Sequence, residues 1–560
     1  MDNKIISRKL NLLSQLMELH GDNPFKVKSL ATAAYKISKL PYPLSAKTPS
    51  EIEKIEGMGK STAGKIAELL QADRIGELEE LLEKTPAGIV EMLQVKGIGP
   101  KKVQVIWKDL GIENLGELYY ACNENRLVEA KGFGAKTQEE IKKVIEFKMA
   151  SNGRFLYASI ESYAESLLLQ LKKLWNTESI SLAGAYRRKC EILDGLDIVA
   201  GGVSQEAHSQ VLEDLGLTII KAEGGSLEAE VGNGIRLYFT FCSPEEYFWQ
   251  LFRKTGDEEH IRLVLDRLGA NELHATSEEL IYKKAGLQYI EPELREGLGE
   301  VELAANNSLP KLVSFPDLKG SLHNHSTWSD GVHTLEEMAL FCRDELKLEY
   351  LGISDHSKTA FYANGLKEEQ IIQQHAEIDA LNAKLAPFRI FKGIESDILY
   401  DGALDYADEI LATFDFVVAS VHSILKMTEE KATSRLITAI ENPYTTILGH
   451  LTGRMLLTRS GYPIDHKKVI DACAANNVVI EINSNPLRLD MDWRWHRYAM
   501  EKGVMLSINP DAHRNEGFYD MHFGVLVARK GMVSAESCLN ALSREEIAQY
   551  FENKKAGIQI

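Results

Sequence analysis

The stretch SLHNHSTWSDG, residues 321–331, places two histidines and an aspartate directly after a short apolar segment at 319–323. Further short apolar segments follow near 350–354, 389–394, 416–421, 445–449, 477–482 and 503–508, and helical patterns separate them. Regular alternation of this kind is typical of βα units. The sequence therefore predicts seven such units that form a parallel sheet closed as a barrel.

Metal-ligand residue types follow nearly every one of these segments. The carboxyl ends of barrel strands converge on one face, where active sites lie. Imidazole with carboxylate suits Mn, Zn or Fe, and closely spaced metals suit hydrolysis of phosphoesters. One histidine alone is more often structural than a ligand, so the hypothesis rests on the repetition. The candidate metal ligands are His323, His325, Asp330, His356, Glu395, His422, His450, Asp511 and His513.

The motifs HNHSTWSDG, SDHS, GIESDIL, SVHS, GHLTGR, EINSNPLRLD and PDAHR resemble the PHP (polymerase and histidinol phosphatase) domain. The resemblance implies a distorted seven-stranded barrel with a trinuclear centre, and all nine candidates match its ligand types. It implies up to three divalent ions, Mn²⁺ and/or Zn²⁺, with Fe as a further candidate. Three arginines near these motifs are candidates for holding DNA phosphates, with surface solvation as the alternative for each. They are Arg454, Arg488 and Arg514.

Three Gly-x-Gly turns punctuate the first 150 residues, in EGMGKSTAGKI (56–66), KGIGPKKVQVI (96–106) and KGFGAKTQEEI (131–141). Each turn leads into a helical pattern whose first N–H groups point outward, an arrangement that binds phosphate without reading bases. Three ordinary helix caps are the alternative interpretation. We expect helix-hairpin-helix contacts to a DNA backbone, independent of sequence, through Gly57, Gly59, Lys60, Gly97, Gly99, Lys101, Lys102, Gly132, Gly134 and Lys136.

The net charge of −18 at first argues against a nucleic-acid partner. However, residues 1–150 carry 23 Lys+Arg and 21 Asp+Glu, whereas the remaining 410 residues carry 41 and 61. The acidity therefore belongs to the later domains, and backbone binding needs only a local basic surface. The chain has no apolar run of about 20 residues, no signal-peptide core at its start and no CxxC pair. We expect a cytoplasmic monomer with free thiols and no membrane partner.

From the Gly-x-Gly turns through YIEPELREG to the barrel, the chain resembles the bacterial family X DNA polymerases that carry a C-terminal PHP domain. The resemblance implies a manganese-dependent 3′–5′ exonuclease, with related processing of 3′ ends and abasic sites, acting on gapped, nicked or 3′-end-containing DNA. It implies a multidomain fold: an α-helical helix-hairpin-helix domain (1–85), a fingers-like helix-hairpin-helix region (86–152), an α+β nucleotidyltransferase-like palm (153–245), a thumb-like region (246–300), a linker (301–318) and the PHP barrel (319–560).

The palm departs from the family pattern in GAYRRKCEILDGLDIVAGG, residues 184–202. The family motif is Gly-Ser-x-Arg-Arg-Gly followed by Gly-Asp-x-Asp, with a third aspartate on a neighbouring strand. The matching positions are Gly184, Arg187, Arg188 and Asp197. The changed positions are Ala185, which replaces serine, and Gly195 and Tyr238, which replace two metal-binding carboxylates. Asp194, three residues from Asp197 along a strand, is expected to face the opposite side. We predict a palm that no longer synthesises DNA.

A lysine on the helix after the first turn is a further candidate. In related family X enzymes a lysine there forms a Schiff base with the sugar of an abasic end, and Lys65 falls at that position. A lysine that only contacts phosphate is the alternative interpretation.

Four functions are compatible with these patterns. The first is a metal-dependent DNA 3′-end nuclease or phosphoesterase, and the second an active gap-filling DNA polymerase with an accessory nuclease. The third is a small-molecule phosphatase, against which the three DNA-binding turns argue. The fourth is a DNA-binding scaffold without activity, against which the retained ligand types argue. We therefore predict the first.

Overall fold

The computed structural model describes the chain except residues 96, 129, 131, 151–152, 204–211, 213–214, 233, 270–273 and 559–560 and the side chains of 146–150. Lys96 and Lys131, the first residues of two predicted turn motifs, and the predicted boundary at residue 152 lie outside the described residues. The chain divides into two compact units, Met1–Glu146 and Phe147–Ile560. Within the described ranges no helix has the length and apolar character needed to cross a membrane.

The first unit is helical throughout its described residues. In the first helix Ile6, Leu10, Leu13 and Met17 recur at spacings of three and four, which places them on one face, and all are buried. The helices are α1 (Asn3–Leu19), α2 (Pro24–Lys39), α3 (Pro49–Glu53), α4 (Lys60–Ala72), α5 (Gly76–Glu83), α6 (Ala87–Met92), α7 (Pro100–Gln104), α8 (Leu115–Asn123) and α9 (Ala135–Ala150), which continues past this unit.

The second unit begins with a small mixed sheet, as predicted for a palm. Its strand order is β2-β4-β7-β6-β5; β4 and β7 are parallel and the other neighbours antiparallel. β1 and β3 form a separate antiparallel pair. The elements are β1 (Phe155–Leu156), α10 (Tyr157–Trp175), β2 (Ile180–Ala183), α11 (Gly184–Arg187), β3 (Ile192–Leu193), β4 (Leu196–Gly201), β5 (Thr218–Glu223), β6 (Ser226–Glu230) and β7 (Arg236–Cys242).

Helices follow in the thumb-like region: α12 (Tyr247–Thr255), α13 (Glu258–Leu268), α14 (Glu278–Lys284) and α15 (Glu300–Ala305). The segment predicted as a linker, 301–318, is not a free connection. It begins within α15, Leu312 and Val313 are buried, and the Val313 N–H donates to the carbonyl of Val533 at 2.8 Å. Its composition resembles that of a linker, but its apolar residues pack against neighbouring parts of the same unit.

The predicted barrel is confirmed, with strands at all seven expected positions. All seven run parallel, and their order in the sheet follows their order in the chain. A parallel bridge between Asn324 and Ala512 connects the segments that follow the first and the last strand, so the barrel is nearly closed. The strands are β8 (Gly320–Ser321), β9 (Tyr350–Ile353), β10 (Arg389–Asp397), β11 (Phe416–Ser420), β12 (Ile447–Leu448), β13 (Val479–Asn483) and β14 (Leu506–Asn509).

Helices cover the outside of the barrel between successive strands. Thr334 and Ser543 cap two of them, each with a glutamate three residues later that returns a hydrogen bond. The helices are α16 (Leu335–Asp344), α17 (Glu368–Leu385), α18 (Asp408–Leu411), α19 (Glu429–Ile440), α20 (His466–Asn476), α21 (His496–Glu501), α22 (Met521–Lys530) and α23 (Arg544–Lys555).

Buried charges join the barrel to the rest of its unit. The Lys530 ammonium at the end of α22 donates to the Arg188 carbonyl at 3.0 Å and pairs with Glu296. Arg529 donates to Glu293 Oε1 at 2.6 Å. Palm, thumb-like region and barrel therefore share one set of paired charges.

Candidate active site

The carboxyl ends of the barrel strands bring the nine predicted ligands together. They follow or end β8, β9, β10, β11, β12 and β14, and the backbone of His356 bridges to that of Glu395 on the neighbouring strand. The nine side chains come from positions up to 190 residues apart, so only the folded barrel assembles them. The convergence predicted from the strand ends is present in the structure.

Glu395 lies at the centre of the cluster. Its Oε1 is 3.2 Å from His323 Nε2, 3.1 Å from His422 Nε2 and 3.1 Å from His450 Nε2. Its Oε2 is 2.9 Å from His356 Nδ1. One carboxylate therefore faces imidazoles on both of its oxygens, so Glu395 could hold a metal ion together with several of these histidines.

Two aspartates complete the cluster on either side of His325. Asp511 Oδ1 is 3.0 Å from His325 Nε2. Asp330 Oδ2 is 3.5 Å from His356 Nε2, and its Oδ1 is 3.3 Å from His513 Nε2. Three overlapping sets of side chains have ligand atoms close enough to hold one ion each: His325, Asp330, His356 and His513; His323, His325 and Asp511; and His356, Glu395 and His422.

The donor set fits divalent metal ions. Both ring nitrogens of His325 and of His356, with Asp330 Oδ2 and Glu395 Oε2, are buried and make no well-formed hydrogen bond in the described part of the chain. Buried polar atoms are ordinarily satisfied, so such a concentration indicates a ligand. Imidazole with carboxylate suits Mn, Zn or Fe better than Mg or Ca.

The pKa shifts of His325 and Glu395 favour the protonation states that bind metal ions. Burial lowers the pKa of His325 to about 3, with His513 and His356 adding to the effect, so its ring is neutral and keeps a lone pair. Burial alone would raise the pKa of Glu395, but His422, His323 and His356 hold it well below its usual value. The carboxylate is therefore ionised across the physiological range.

Two acids behind the ligands orient them. Glu481 Oε2 is 2.6 Å from His323 Nδ1, and Glu481 Oε1 accepts the His450 N–H at 3.1 Å. Asp397 pairs with His422 Nδ1. Partners of this kind fix ring orientation and raise ligand basicity. Glu481 is not among the predicted site residues, although an acid inside the apolar strand VVIEIN was a signal that could have pointed to it.

The three predicted phosphate-contacting arginines have different environments. Arg454 donates to the Arg488 carbonyl at 2.9 Å and to Asp492 at 2.7 Å, and it lies 3.7 Å from Glu191 of the palm. Its guanidinium therefore binds protein groups, and neither surface solvation nor a free phosphate contact describes it. Arg488 is buried as well. Arg514, half-buried beside the ligand His513, remains a predicted phosphate contact.

The three Gly-x-Gly turns share one backbone geometry. Gly57, Gly97 and Gly132 have φ values of 88°, 94° and 89°, the left-handed region that glycine adopts without strain. Gly59 and Gly99 are extended and cap α4 and α7. A side-chain carbon added at either cap would meet nothing within 4 Å, so the space beside these two caps is open. Phosphate binding by these turns stays a prediction.

Lysines lie beside these turns. Lys60, Lys101 and Lys136 are exposed. The Lys102 ammonium is 3.4 Å from the Gly97 carbonyl and 5.5 Å from the centroid of the Phe133 ring, so it lies close to both the second and the third turn. Lys65 forms an ion pair with Glu77, and its Schiff-base role stays a prediction.

The palm positions differ from a two-metal polymerase site. Asp197 on β4 pairs in register with Tyr238 on β7. A side-chain carbon at Gly195 would lie 2.7 Å from the Arg236 carbonyl oxygen and 2.8 Å from Tyr238 Cε2. Burial raises the pKa of Asp197, which Lys254 and Arg188 partly oppose. The tyrosine ring thus covers the place of the first missing carboxylate.

Asp194 is excluded for a different reason from the one predicted. It lies in the turn between β3 and β4, not on the strand with Asp197, and its side chain is 81 % exposed beside Arg154 at 3.5 Å. The alternation argument does not apply there, because the chain is not extended at this residue. Asp194 nevertheless points to solvent and does not replace a metal-binding carboxylate.

The motif arginines are bound to acids of the thumb-like region. Arg187 donates to Thr255 Oγ1 at 2.9 Å and to Glu278 Oε2 at 2.5 Å. Arg188 donates to Glu296 Oε1 at 2.9 Å. Glu278 and Glu296 therefore pair with the two guanidinium groups that would contact phosphates in the family motif. Ala185, at the serine position, lacks a hydroxyl.

Family models match the helical unit. Residues 1–75 match a helix-hairpin-helix domain, and residues 89–146 match a SAM-like helix-hairpin-helix tandem. The first match contains the first Gly-x-Gly turn and the second contains the other two.

Curated relatives match the whole chain or its later part. The DNA polymerase/3′-5′ exonuclease PolX of Bacillus subtilis (strain 168) is 35% identical over 576 aligned positions, covering 99% of this chain and 100% of the relative. A "Probable phosphatase" of Acetivibrio thermocellus is 27% identical, over 42% of this chain and 96% of its own length. A "Probable phosphatase" of Thermoanaerobacter sp. (strain X514) is 29% identical, over 32% of this chain and 75% of its own. The phosphatases align with the C-terminal region.

Proposed function

The chain belongs to the bacterial family X DNA polymerases that carry a C-terminal PHP domain, and from that membership we propose that it is a DNA-repair enzyme whose barrel removes nucleotides or blocking groups from DNA 3′ ends. The observation that carries the proposal is the convergence of nine ligand-type side chains on one face of the barrel. The name of the Bacillus subtilis relative includes a 3′-5′ exonuclease, and the phosphatase relatives support phosphoester hydrolysis.

The chemistry follows from the ligand set. Metal ions bound by the three overlapping groups would supply the positive charge that activates water and stabilises the leaving oxygen. Neutral His325 and ionised Glu395 would hold such ions, while Glu481 and Asp397 would fix the rings of His323 and His422. Mn²⁺ is the ion we propose first, with Zn²⁺ or Fe as alternatives.

The Gly-x-Gly turns hold the DNA. Their open helix N–H groups and neighbouring lysines suit phosphate oxygens and make no use of base edges. Gapped, nicked and 3′-end-containing DNA are the proposed substrates.

The palm is a scaffold without polymerase activity. Two of the three family carboxylate positions carry Gly195 and Tyr238, and the motif arginines are paired with Glu278 and Glu296. An active gap-filling polymerase is the alternative, and it is favoured by the name of the Bacillus relative, which includes a DNA polymerase.

One experiment tests the barrel assignment. A gapped duplex labelled at the 3′ or the 5′ end of the same strand is incubated with Mn²⁺ and wild type, His356→Ala or Asp511→Ala. We expect the 3′ label to be released first by wild type, and neither variant to hydrolyse DNA, because losing a ligand removes charge stabilisation worth several kcal/mol.

The exposed His274, in the thumb-like region, supplies the matched control: His274→Ala should keep full activity. DNA binding should survive all three changes. If folded His356→Ala, checked by circular dichroism, cleaves at the wild-type rate, the metal-site assignment is wrong. Adding nucleotides to the same reaction tests the palm. If wild type extends the primer and Asp197→Ala does not, the polymerase alternative is correct.

A further inference from the structure

Large apolar side chains are exposed around the mouth of the metal-ligand cluster. Seven large hydrophobic residues are exposed in the described part of the barrel domain. Five of them lie on loops that leave the carboxyl ends of strands, the edge that carries the ligands. Scattered single exposures are normal on a protein surface, whereas this concentration at one edge is not. The five residues, called here the rim, are Val332, Phe361, Tyr400, Ile424 and Tyr519.

The rim is held in place by the loops that carry it. Thr359, two residues before Phe361, donates its hydroxyl to Asp397 at 2.8 Å and to Asp405 at 2.9 Å, which ties the loop after β9 to the loop after β10. The buried Arg435 donates to the Leu399 carbonyl at 2.8 Å. These bonds keep neighbouring loops together without covering their apolar tips.

The same arginine reaches the next loop. Arg435 also donates to the Ser423 carbonyl at 3.0 Å, one residue before Ile424. Asp397, which pairs with the ligand His422, accepts the Thr359 hydroxyl as well. The rim loops after β9, β10 and β11 therefore share bonds with one another and with a ligand. The rim side chains stay exposed in the folded protein, so their apolar surface is available to a ligand.

Two rings of the rim are suited to flat, charged ligands. Phe361 is 84 % exposed, and Tyr362 beside it lies 6.3 Å from the His356 ring, centroid to centroid. Tyr400 is 52 % exposed, and the Lys431 ammonium lies 4.3 Å from its ring centroid. An exposed ring accepts a nucleobase on a free face, and the Lys431 ammonium over the other face of Tyr400 offers a charge to a nearby phosphate.

We propose that the rim is a stacking platform for unpaired nucleotides at the 3′ end of a DNA strand, with Phe361 and Tyr400 as its stacking residues. The proposal rests on the DNA-hydrolysing function proposed above and assigns the residues that bind the terminal nucleotides. The ligand side chains are almost fully buried, so a terminal phosphoester reaches them only if its nucleotide leaves the duplex stack. Rings at the entrance compensate the lost base stacking.

The binding test uses the full, metal-loaded protein and a short single-stranded oligonucleotide. Its 3′-terminal base is 2-aminopurine, joined through a phosphorothioate linkage that resists cleavage. Stacking on a ring quenches this fluorophore. We expect quenching with wild type, its loss in Phe361→Ala or Tyr400→Ala, and no change in Ile372→Ala, a matched control that removes an exposed apolar side chain from the outer helix α17.

Cleavage kinetics provide the second readout. On an unmodified single strand each ring variant should raise KM by about 5- to 100-fold with little change in kcat, since one stacked base is lost. Ring-independent quenching, or no quenching with wild type, overturns the platform. A different outcome would be that wild type is a dimer, that Phe361→Ala or Tyr400→Ala is a monomer, and that quenching does not change. The rim would then be an interface with a second copy of the chain, and the platform would be overturned.

The two proposals fail separately. Ring-dependent quenching by a protein that leaves the unmodified strand uncut refutes the nuclease and keeps the platform. Cleavage of that strand with ring-independent quenching refutes the platform and keeps the nuclease.

Discussion

Glu395 on β10 and Glu481 on β13 both contact His323 but differ in their other partners. Glu395 faces imidazole nitrogens on both of its oxygens, as a ligand shared between ions would. Glu481 contacts the far nitrogen of His323 and the backbone of His450, so it acts through those residues. The difference separates a group that binds metal from one that positions a ligand.

Replacing Glu481 should therefore weaken metal binding without removing a ligand. Glu481→Gln loses the charged partner of His323, and we expect metal affinity to fall about 10- to 100-fold, the usual effect of losing such a partner. Competition with a coloured chelator measures it. Glu441→Gln, at an exposed glutamate after α19, is the control. Unchanged affinity in a folded Glu481→Gln protein would contradict the positioning role.

At this scale the sequence predicted where the candidate ligands converge but not the residues behind them. The convergence of the nine candidates was predictable because each follows or ends an apolar strand, and strand ends of a barrel share one face. Glu481 lies inside a strand, 158 residues from His323, and its contact depends on how the strands are ordered around the barrel. The acid within VVIEIN marks Glu481 as unusual, but no local pattern shows that its partner is His323.

Among the elements, β4 and β7 with the turn before β4 carry the positions at which the family has its metal-binding carboxylates, so they determine whether the palm can synthesise DNA. Restoring carboxylates, first by Gly195→Asp and then with Tyr238→Asp as well, tests this. We expect neither variant to extend a primer, because the Arg236 carbonyl still crowds position 195 and Arg187 and Arg188 stay paired with acids. Primer extension on gapped DNA with Mn²⁺ is the measurement. Template-dependent synthesis by the double variant would show that only the carboxylates are missing.

The paired acid on α14 should make the second unit sensitive to acid. Burial alone would raise the pKa of Glu278, but Arg295 and Arg187 hold it below its usual value. A carboxyl whose folded pKa is lowered stabilises the fold above its unfolded pKa of about 4.3, and this contribution is lost as pH falls through the folded value.

Glu278→Gln should accordingly cost about 3–5 kcal/mol at neutral pH, since it leaves buried arginines unpaired. The difference from wild type in the urea midpoint should shrink as the pH is lowered below about 4. Glu279→Gln, at the exposed neighbour, is the control. Parallel pH profiles for wild type and Glu278→Gln would count against the assignment.

Contacts with distant residues explain why the segment 301–318 is not a free connection. Residues around 289–318 are rich in proline, glycine and acids, a composition typical of connections. Within 301–318, however, the Val313 N–H donates to the Val533 carbonyl at 2.8 Å, and Arg529 donates to the Val313 carbonyl at 3.2 Å. Composition reports the charge of a segment, whereas its burial depends on partners more than 100 residues away.

For the whole molecule, DNA affinity should depend on salt through the helical unit. Each neutralised phosphate releases counterions, so log K falls linearly with log salt. The double variant Lys101→Gln/Lys102→Gln should lower affinity and flatten the slope by up to about 2. Fluorescence anisotropy on two unrelated sequences over a salt series measures this. A wide spread between sequences at one salt concentration, or an unchanged slope, would be inconsistent with backbone binding.

The bridge between Asn324 and Ala512 has a consequence for how the protein is made. It joins the first and the last parts of the barrel, and the ligands extend from His323 to His513. Synthesis proceeds from the N-terminus, so a nascent chain completes its DNA-gripping helices long before the final two ligands leave the ribosome. A chain terminated before Asp511 would lack two of the nine candidate ligands. Hydrolytic activity thus has to wait until the last strand of the barrel and the loop after it have been synthesised.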